Sequence, residues 1–116
     1  MASKTSIEKY LEKKFVDWCR ENKIIAVKGP AQMYKGIPDR IVIIPNGGTI
    51  WVEFKGNTYY QLSPMQQKWK SFLLASDPDR YFCINTKEEL NALIQLCADL
   101  LDGFPIYTPS IFKNIS

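Results

Sequence analysis

Residues 36–55 read GIPDRIVIIPNGGTIWVEFK. Two apolar runs, RIVII and TIWVEFK, flank Pro45-Asn46-Gly47-Gly48. Asn-Gly readily takes the positive φ angles of a tight hairpin turn, so the stretch predicts a β-hairpin. RIVII is continuously apolar and is expected to be buried on both faces. Three charges break the pattern: Asp39, Glu53 and Lys55. Side chains alternate along a strand, which puts Ile50, Val52 and Phe54 on one face and Trp51, Glu53 and Lys55 on the other. The α-carbons of Glu53 and Lys55 are then about 6.5 Å apart. Across a hairpin centred on Asn46-Gly47, position 39 lies opposite positions near 53. Two carboxylates and an ammonium converge at one end of the hairpin.

The elements on either side follow from periodicity and punctuation. Residues 4–21 predict a helix, with Ile7, Tyr10, Leu11, Phe15, Trp18 and Cys19 at three- and four-residue steps. IIAVK at 24–28 predicts a strand, and the Gly- and Pro-broken residues 29–38 a loop. Ser63 as N-cap and Pro64 at the first helical position open a second helix. Met65, Trp69, Phe72 and Leu73 are its expected apolar face. DPDR is a turn and YFCIN a short strand. Thr86-Lys87-Glu88-Glu89 is a capping box that opens a last helix lined by Leu90, Leu93, Ile94, Cys97, Leu100 and Leu101. The order α-β-β-β-α-β-α predicts an α/β domain with helices packed on a sheet. We read residues 1–116 as one domain, with a core over about 5–103 and an apolar tail over 104–116 broken by two prolines.

Bulk composition removes several chemistries. A chain of 116 residues can bury a core without metal or disulfide staples. It has no apolar run near the roughly 18 residues of a membrane span, and its first residues lack the apolar stretch of a secretory signal. Three cysteines without CxxC spacing read as reduced, mostly buried thiols, and the expected location is the cytoplasm. No histidine is present, which excludes Ser-His-Asp, Cys-His and His-metal catalysis. Residues 1–58 hold ten Lys/Arg against six Asp/Glu, whereas residues 59–116 hold five against six. The positive excess sits in the half that carries the charged hairpin, as a polyanionic partner would favour.

Two buried carboxylates side by side are costly unless a cation joins them. One or two carboxylates, with waters and a substrate phosphate, are the usual surroundings of magnesium. A neighbouring lysine can stabilise charge developing on a phosphate. The plainer alternative is an ion pair of Lys55 with Glu53 or Asp39 on a solvated sheet face.

Pro38-Asp39, thirteen residues, then Glu53-Phe54-Lys55 resembles the PD-(D/E)XK nuclease signature. The wider frame resembles the VRR-NUC family within that superfamily, in its small stand-alone phage and bacterial form. It comprises Gly36-Ile37-Pro38-Asp39-Arg40, Val52-Glu53-Phe54-Lys55 and Leu62-Ser63-Pro64-Met65-Gln66. The match runs over roughly residues 5 to 95. The resemblance implies a restriction-endonuclease-like core with a mixed central sheet. It implies Mg²⁺ or Mn²⁺ held by Asp39, Glu53 and the Phe54 backbone carbonyl, with Lys55 acting on the attacking water and Gln66 supporting the site. It also implies a glutamate from the first helix, for which Glu8 and Glu12 compete. At about 100° per residue, Glu8 lies roughly 70° from the centre of the apolar stripe and Glu12 roughly 110° away, toward solvent, so Glu8 is the better candidate. Gln66 is equally placed to close a capping box with Ser63.

Lys28, Tyr34, Lys35 and Arg40 flank the motif and are candidate DNA contacts; for Lys28 a solvent-exposed strand end is an equal reading. The expected function is a metal-dependent DNA endonuclease, selective for branched DNA such as four-way junctions or flaps, with a role in DNA repair. The family implies a homo-oligomer, for which Phe104, Ile106, Tyr107, Ile111 and Phe112 of the tail offer a contact surface. The alternative is a non-catalytic nucleic-acid-binding module of the same fold.

Overall fold

The hairpin forms around a three-residue loop. In the computed structural model, which describes residues 5–56 and 61–113, β2 (Arg40–Ile44) and β3 (Gly48–Phe54) pair antiparallel from Ile44↔Gly48 to Arg40↔Val52. Asn46 and Gly48 take positive φ angles of 66° and 83° at the turn. β1 (Ile25–Lys28) adds antiparallel to β2, from Ile25↔Ile43 to Lys28↔Arg40. β4 (Tyr81–Ile84) adds parallel to β3, after the crossover helix α2 (Pro64–Ser76). The result is one mixed four-stranded sheet in the order β1-β2-β3-β4. Helices α1 (Ser6–Glu21) and α3 (Lys87–Leu101) complete the expected α/β order, and Ser110–Phe112 form a short 3₁₀ turn.

Both α1 and α3 lie on the same face of the sheet. Leu11, Phe15 and Cys19 of α1 and Leu93, Leu96, Cys97 and Leu100 of α3 are buried there with Val42, Ile44, Ile50, Val52, Phe54, Phe82 and Ile84. The Phe15 and Phe54 rings meet at 5.9 Å. α3 starts on the capping box read from its sequence, with Thr86 and Glu89 satisfying each other's backbone N–H groups.

The opposite face corrects two expectations. RIVII is not buried on both sides: Val42 and Ile44 are buried, but Ile43 is 45% exposed. Its neighbour Ile25 on β1 is 60% exposed. A doubly buried strand needs helices on both faces, and here two of three helices take one face while α2 packs near β4. The second correction concerns α2. Of its expected apolar face only Leu73 is buried, and Met65 and Phe72 are exposed.

The tail folds back on the chain. Ile106 and Phe112 pack against the core, with Phe112 5.1 Å from Phe82, whereas Phe104 and Ile111 remain exposed. The Tyr107 hydroxyl donates to Asp99 at 2.5 Å and the Thr108 hydroxyl to Asp79 at 2.7 Å. All three cysteines are reduced thiols; Cys19 and Cys97 are buried and Cys83 is half-buried. Residues 57–60, which lead toward α2, and the last three of the tail lie outside the described residues. Among the described residues no helix is long and apolar enough to cross a membrane.

Candidate active site

The end of the hairpin gathers the charges. The register Arg40↔Val52 carries Asp39 across from Glu53, and Asp39 Oδ2 accepts from the Phe54 backbone N–H at 2.8 Å. Strand alternation turns Val52 and Phe54 into the core and Glu53 to the α2 face, where it is only 4% exposed. Lys55 follows β3 directly, and its backbone N–H donates to Ile84 O at 2.9 Å, so it stays tied to β4.

α2 closes the site through one residue. Gln66 Oε1 accepts from Lys55 Nζ at 3.0 Å and from the Ser63 N–H at 2.9 Å, while Gln66 Nε2 donates to Glu53 Oε2 at 3.1 Å. Ser63 Oγ in turn accepts from the Gln66 N–H at 3.1 Å. The sequence left two roles open for Gln66, capping and site support, and one side chain performs both. It fixes the start of the helix and bridges the carboxylate to the ammonium. A capping box alone needs only the Ser63–Gln66 pair, and the two further bonds come from its place above the sheet.

Two glycines set this geometry. Gly36 has φ +83°, and a Cβ there would stand 2.5 Å from the Met65 carbonyl carbon. Only glycine lets the loop before Asp39 lie against the first turn of α2. Gly56 has φ +72°, and a Cβ there would meet Ile7 Cγ2 at 2.8 Å and Glu8 N at 3.0 Å. The exit from β3 thus runs beneath the first turn of α1.

Glu8 is half-buried at that turn, where its N–H donates to the Thr5 side chain at 3.1 Å. Among the described residues no group of three Cys, Asp or Glu side chains is arranged to hold a metal ion. Glu12 corrects the helical-wheel estimate. It does not face solvent but is 12% exposed and accepts from Arg40 Nε at 2.8 Å. Arg40 also donates to Ala26 O at 3.0 Å. The alternation that turns Asp39 to the α2 face turns Arg40 to the α1 face, away from the carboxylates. That signal was present in the sequence. Lys28 is exposed at the end of β1, and Tyr34 and Lys35 are exposed in the loop over α2.

The donors at the hairpin end are hard oxygens from two adjacent carboxylates, one of them buried beside a lysine. Such a set suits Mg²⁺ or Mn²⁺ and does not suit a thiophilic metal.

Comparison with solved structures identifies the fold. One VRR_NUC domain superposes with a TM-score of 0.66 at 20% identity, over 78% of this chain and 97% of the other. A second structure, described as a VRR_NUC domain protein, gives 0.61 at 18% identity over 84% and 92%. The chain has the fold of a VRR_NUC domain. The sequence matches no protein-family model and no curated protein. The superpositions run over most of this chain and nearly all of each VRR_NUC structure. Asp39, Glu53 and Lys55 lie on or directly beside the hairpin, and Gln66 lies on α2.

Proposed function

We propose that this chain is a divalent-metal-dependent DNA nuclease that hydrolyses phosphodiester bonds. The observation that carries the reading is the linked set Glu53–Gln66–Lys55 next to Asp39, on a VRR_NUC fold. Asp39, Glu53 and the Phe54 carbonyl would hold Mg²⁺ or Mn²⁺, with Glu8 the reserve ligand from α1. The ion, when bound, supplies Lewis-acid stabilisation of the phosphate and a more acidic water.

The chain's own groups do the rest. The Gln66 bridge holds the Lys55 ammonium beside Glu53, where it meets negative charge growing on the phosphate oxygens. Water adds to phosphorus, one P–O bond to the sugar breaks, and the leaving oxygen ends protonated. Lys28, Tyr34 and Lys35 are proposed to steer the DNA backbone. Arg40 is proposed to act on DNA only indirectly, by fixing α1 against the sheet through Glu12.

We further read the protein as a homo-oligomer acting on branched DNA in the cytoplasm of a bacterium or a phage-infected cell. The exposed strip of Ile25, Val27 and Ile43 supports self-association better than the tail, whose Ile106 and Phe112 already pack on the core.

Cleavage of single strands, duplex, flaps and four-way junctions, with and without Mg²⁺ or Mn²⁺, tests the reading. Asp39→Asn keeps the acceptor for the Phe54 N–H but removes the charge. It should lower cleavage by at least about 10²-fold, the scale seen for removing one charge-stabilising group. Thermal melting adds a readout independent of turnover: Mn²⁺ should raise the melting temperature of the wild type and not of Asp39→Asn. DNA binding without cleavage would move the assignment to a binding module.

A further inference from the structure

The candidate site leaves one apolar surface unexplained. Tyr34, Lys35, Met65, Lys68, Trp69 and Phe72 line an open groove of about 310 Å³ between the 29–38 loop and the outer side of α2. That is the small end of the range of ligand sites, about 300–1,000 Å³. Trp69 forms T-shaped pairs with both Tyr34 and Phe72, with centroids 6.1 and 6.5 Å apart and planes at 84° and 89°. Edge-to-face pairs use the face of only one ring, so the trio retains ring face available for stacking. Phe72 is 73% exposed. The trio is nonetheless held in place, because Trp69 Nε1 donates to Lys35 O at 3.0 Å.

Two features say what fits. The groove's charged lining is Lys35 and Lys68, with no carboxylate. Its walls are also the two segments that build the site. The loop passes from Lys35 through Gly36 into Asp39, and α2 carries Gln66 one residue after Met65 and three before Trp69. A phosphate at Asp39 and Glu53 therefore has aromatic rings and ammonium groups within a short reach along the strand. Protein that tracks unpaired nucleic acid combines these two parts, cations for the backbone and rings for the bases.

We propose that this groove stacks an unpaired nucleobase of the DNA strand whose phosphate lies at the hairpin end. The proposal rests on the nucleic-acid part of the nuclease reading and adds the selection of single-stranded or splayed DNA. Stacking residues are Tyr34, Trp69 and Phe72; Lys35 and Lys68 hold the flanking phosphates.

The test is metal-free binding of fluorescein-labelled oligothymidine and of an abasic strand of equal length, by anisotropy. The full-length chain is compared with Phe72→Ala, Tyr34→Ala, their double variant and Trp69→Phe. Wild type should bind the base-bearing strand about tenfold or more tighter than the abasic one. The double variant should lose that preference, its binding of the base-bearing strand falling further than its binding of the abasic one, whereas Lys68→Ala should weaken both strands and reduce the salt slope by about one.

Equal binding of both strands by a wild type that still cleaves duplex overturns the stacking role and spares the nuclease reading. Base discrimination by a chain that cuts nothing does the reverse. Unchanged discrimination in the folded double variant, or a drop in sedimenting mass with strand binding intact, also overturns it, the latter marking the groove as a contact between copies. Trp69→Phe keeps a ring without the bond to Lys35. Partial retention of discrimination there is expected, and complete retention with full loss in Phe72→Ala would narrow the platform to Phe72.

Discussion

The two faces of the sheet are built from similar residues and do different things. On the α1/α3 face, apolar side chains from three strands and two helices close into one core, and the charged groups of Arg40 and Glu12 on that face are paired with each other. On the α2 face, isoleucines stand in solvent while a glutamate is buried. Apolar-in, polar-out is thus obeyed on one side and inverted on the other. The inversion follows from coverage. One helix near one edge cannot dry a four-stranded face, so what it covers is the hairpin end, and what it leaves is a strip of β1 and β2. Inverted patterning of this kind is where sequences depart from folding rules for the sake of a site.

Two phenylalanines give the sharpest way to break this comparison. Phe15 is fully buried on the core face and Phe72 is exposed on α2. Phe15→Ala should cost about 3–5 kcal/mol in urea unfolding, through lost transfer energy and an unfilled cavity. Phe72→Ala should stay within about 0.5 kcal/mol, as surface changes do. A loss above about 2 kcal/mol for Phe72→Ala would mean that the α2 face carries packing we have not assigned to it.

Gln66 sharpens the contrast at the site. Gln66→Ala removes half of a capping box and the bridge between Glu53 and Lys55. Caps and buried hydrogen bonds of this kind are each worth about 1 kcal/mol, so about 1–2 kcal/mol should be lost with little dependence on pH. Gln66→Glu behaves otherwise. It sets a second carboxylate on Glu53, and repulsion raises the pKa of the pair in the folded state. A raised carboxylate pKa gives stability that is present at low pH and lost as pH rises. The Glu variant should therefore be weaker than wild type at pH 8 and recover toward pH 5. Urea midpoints at the two pH values decide it, and a pH-independent difference would show that Glu53 does not feel position 66.

What could be read from the sequence divides along the same line. The hairpin and the caps at Ser63 and Thr86 rest on local rules and formed where expected within two residues; the stripe of α1 is buried at Leu11, Phe15 and Cys19, whereas Ile7 and Tyr10 at its start are exposed. The meeting of Asp39 and Glu53 also follows from local register. Burial of the second face was not readable, because RIVII looks the same whether one helix layer or two will cover it. Phe72 and Met65 continue a three- and four-residue apolar step, so the sequence hid that this stripe turns outward. The Glu12–Arg40 pair was hidden only in part: strand alternation already separated Arg40 from Asp39, but the partner on α1 comes from tertiary packing.

Cysteine offers the gentlest probe, since the two faces carry it in different settings. Cys19 and Cys97 lie in the core, and Cys83 lies across from Glu53 on the α2 face, half-buried. Burial pushes the Cys19 thiol up from 9.0 to about 12, with Arg40 pulling weakly the other way, and pushes Cys97 up as well. The thiolate is the reactive form, so at pH 8 both core thiols are protonated as well as shielded. An aromatic disulfide reagent should label one thiol per chain promptly, Cys83, and the other two only at the rate of unfolding. Linkage gives the same groups a second signature. Their raised pKa contributes stability that is whole below pH 9 and is lost as pH climbs toward 12. Replacing Cys19 with Ala should flatten that alkaline loss, and replacing Cys83 should leave it unchanged. Prompt labelling of two thiols would place one of the core cysteines outside the dry face, and with it the division of the sheet into a sealed side and a working side.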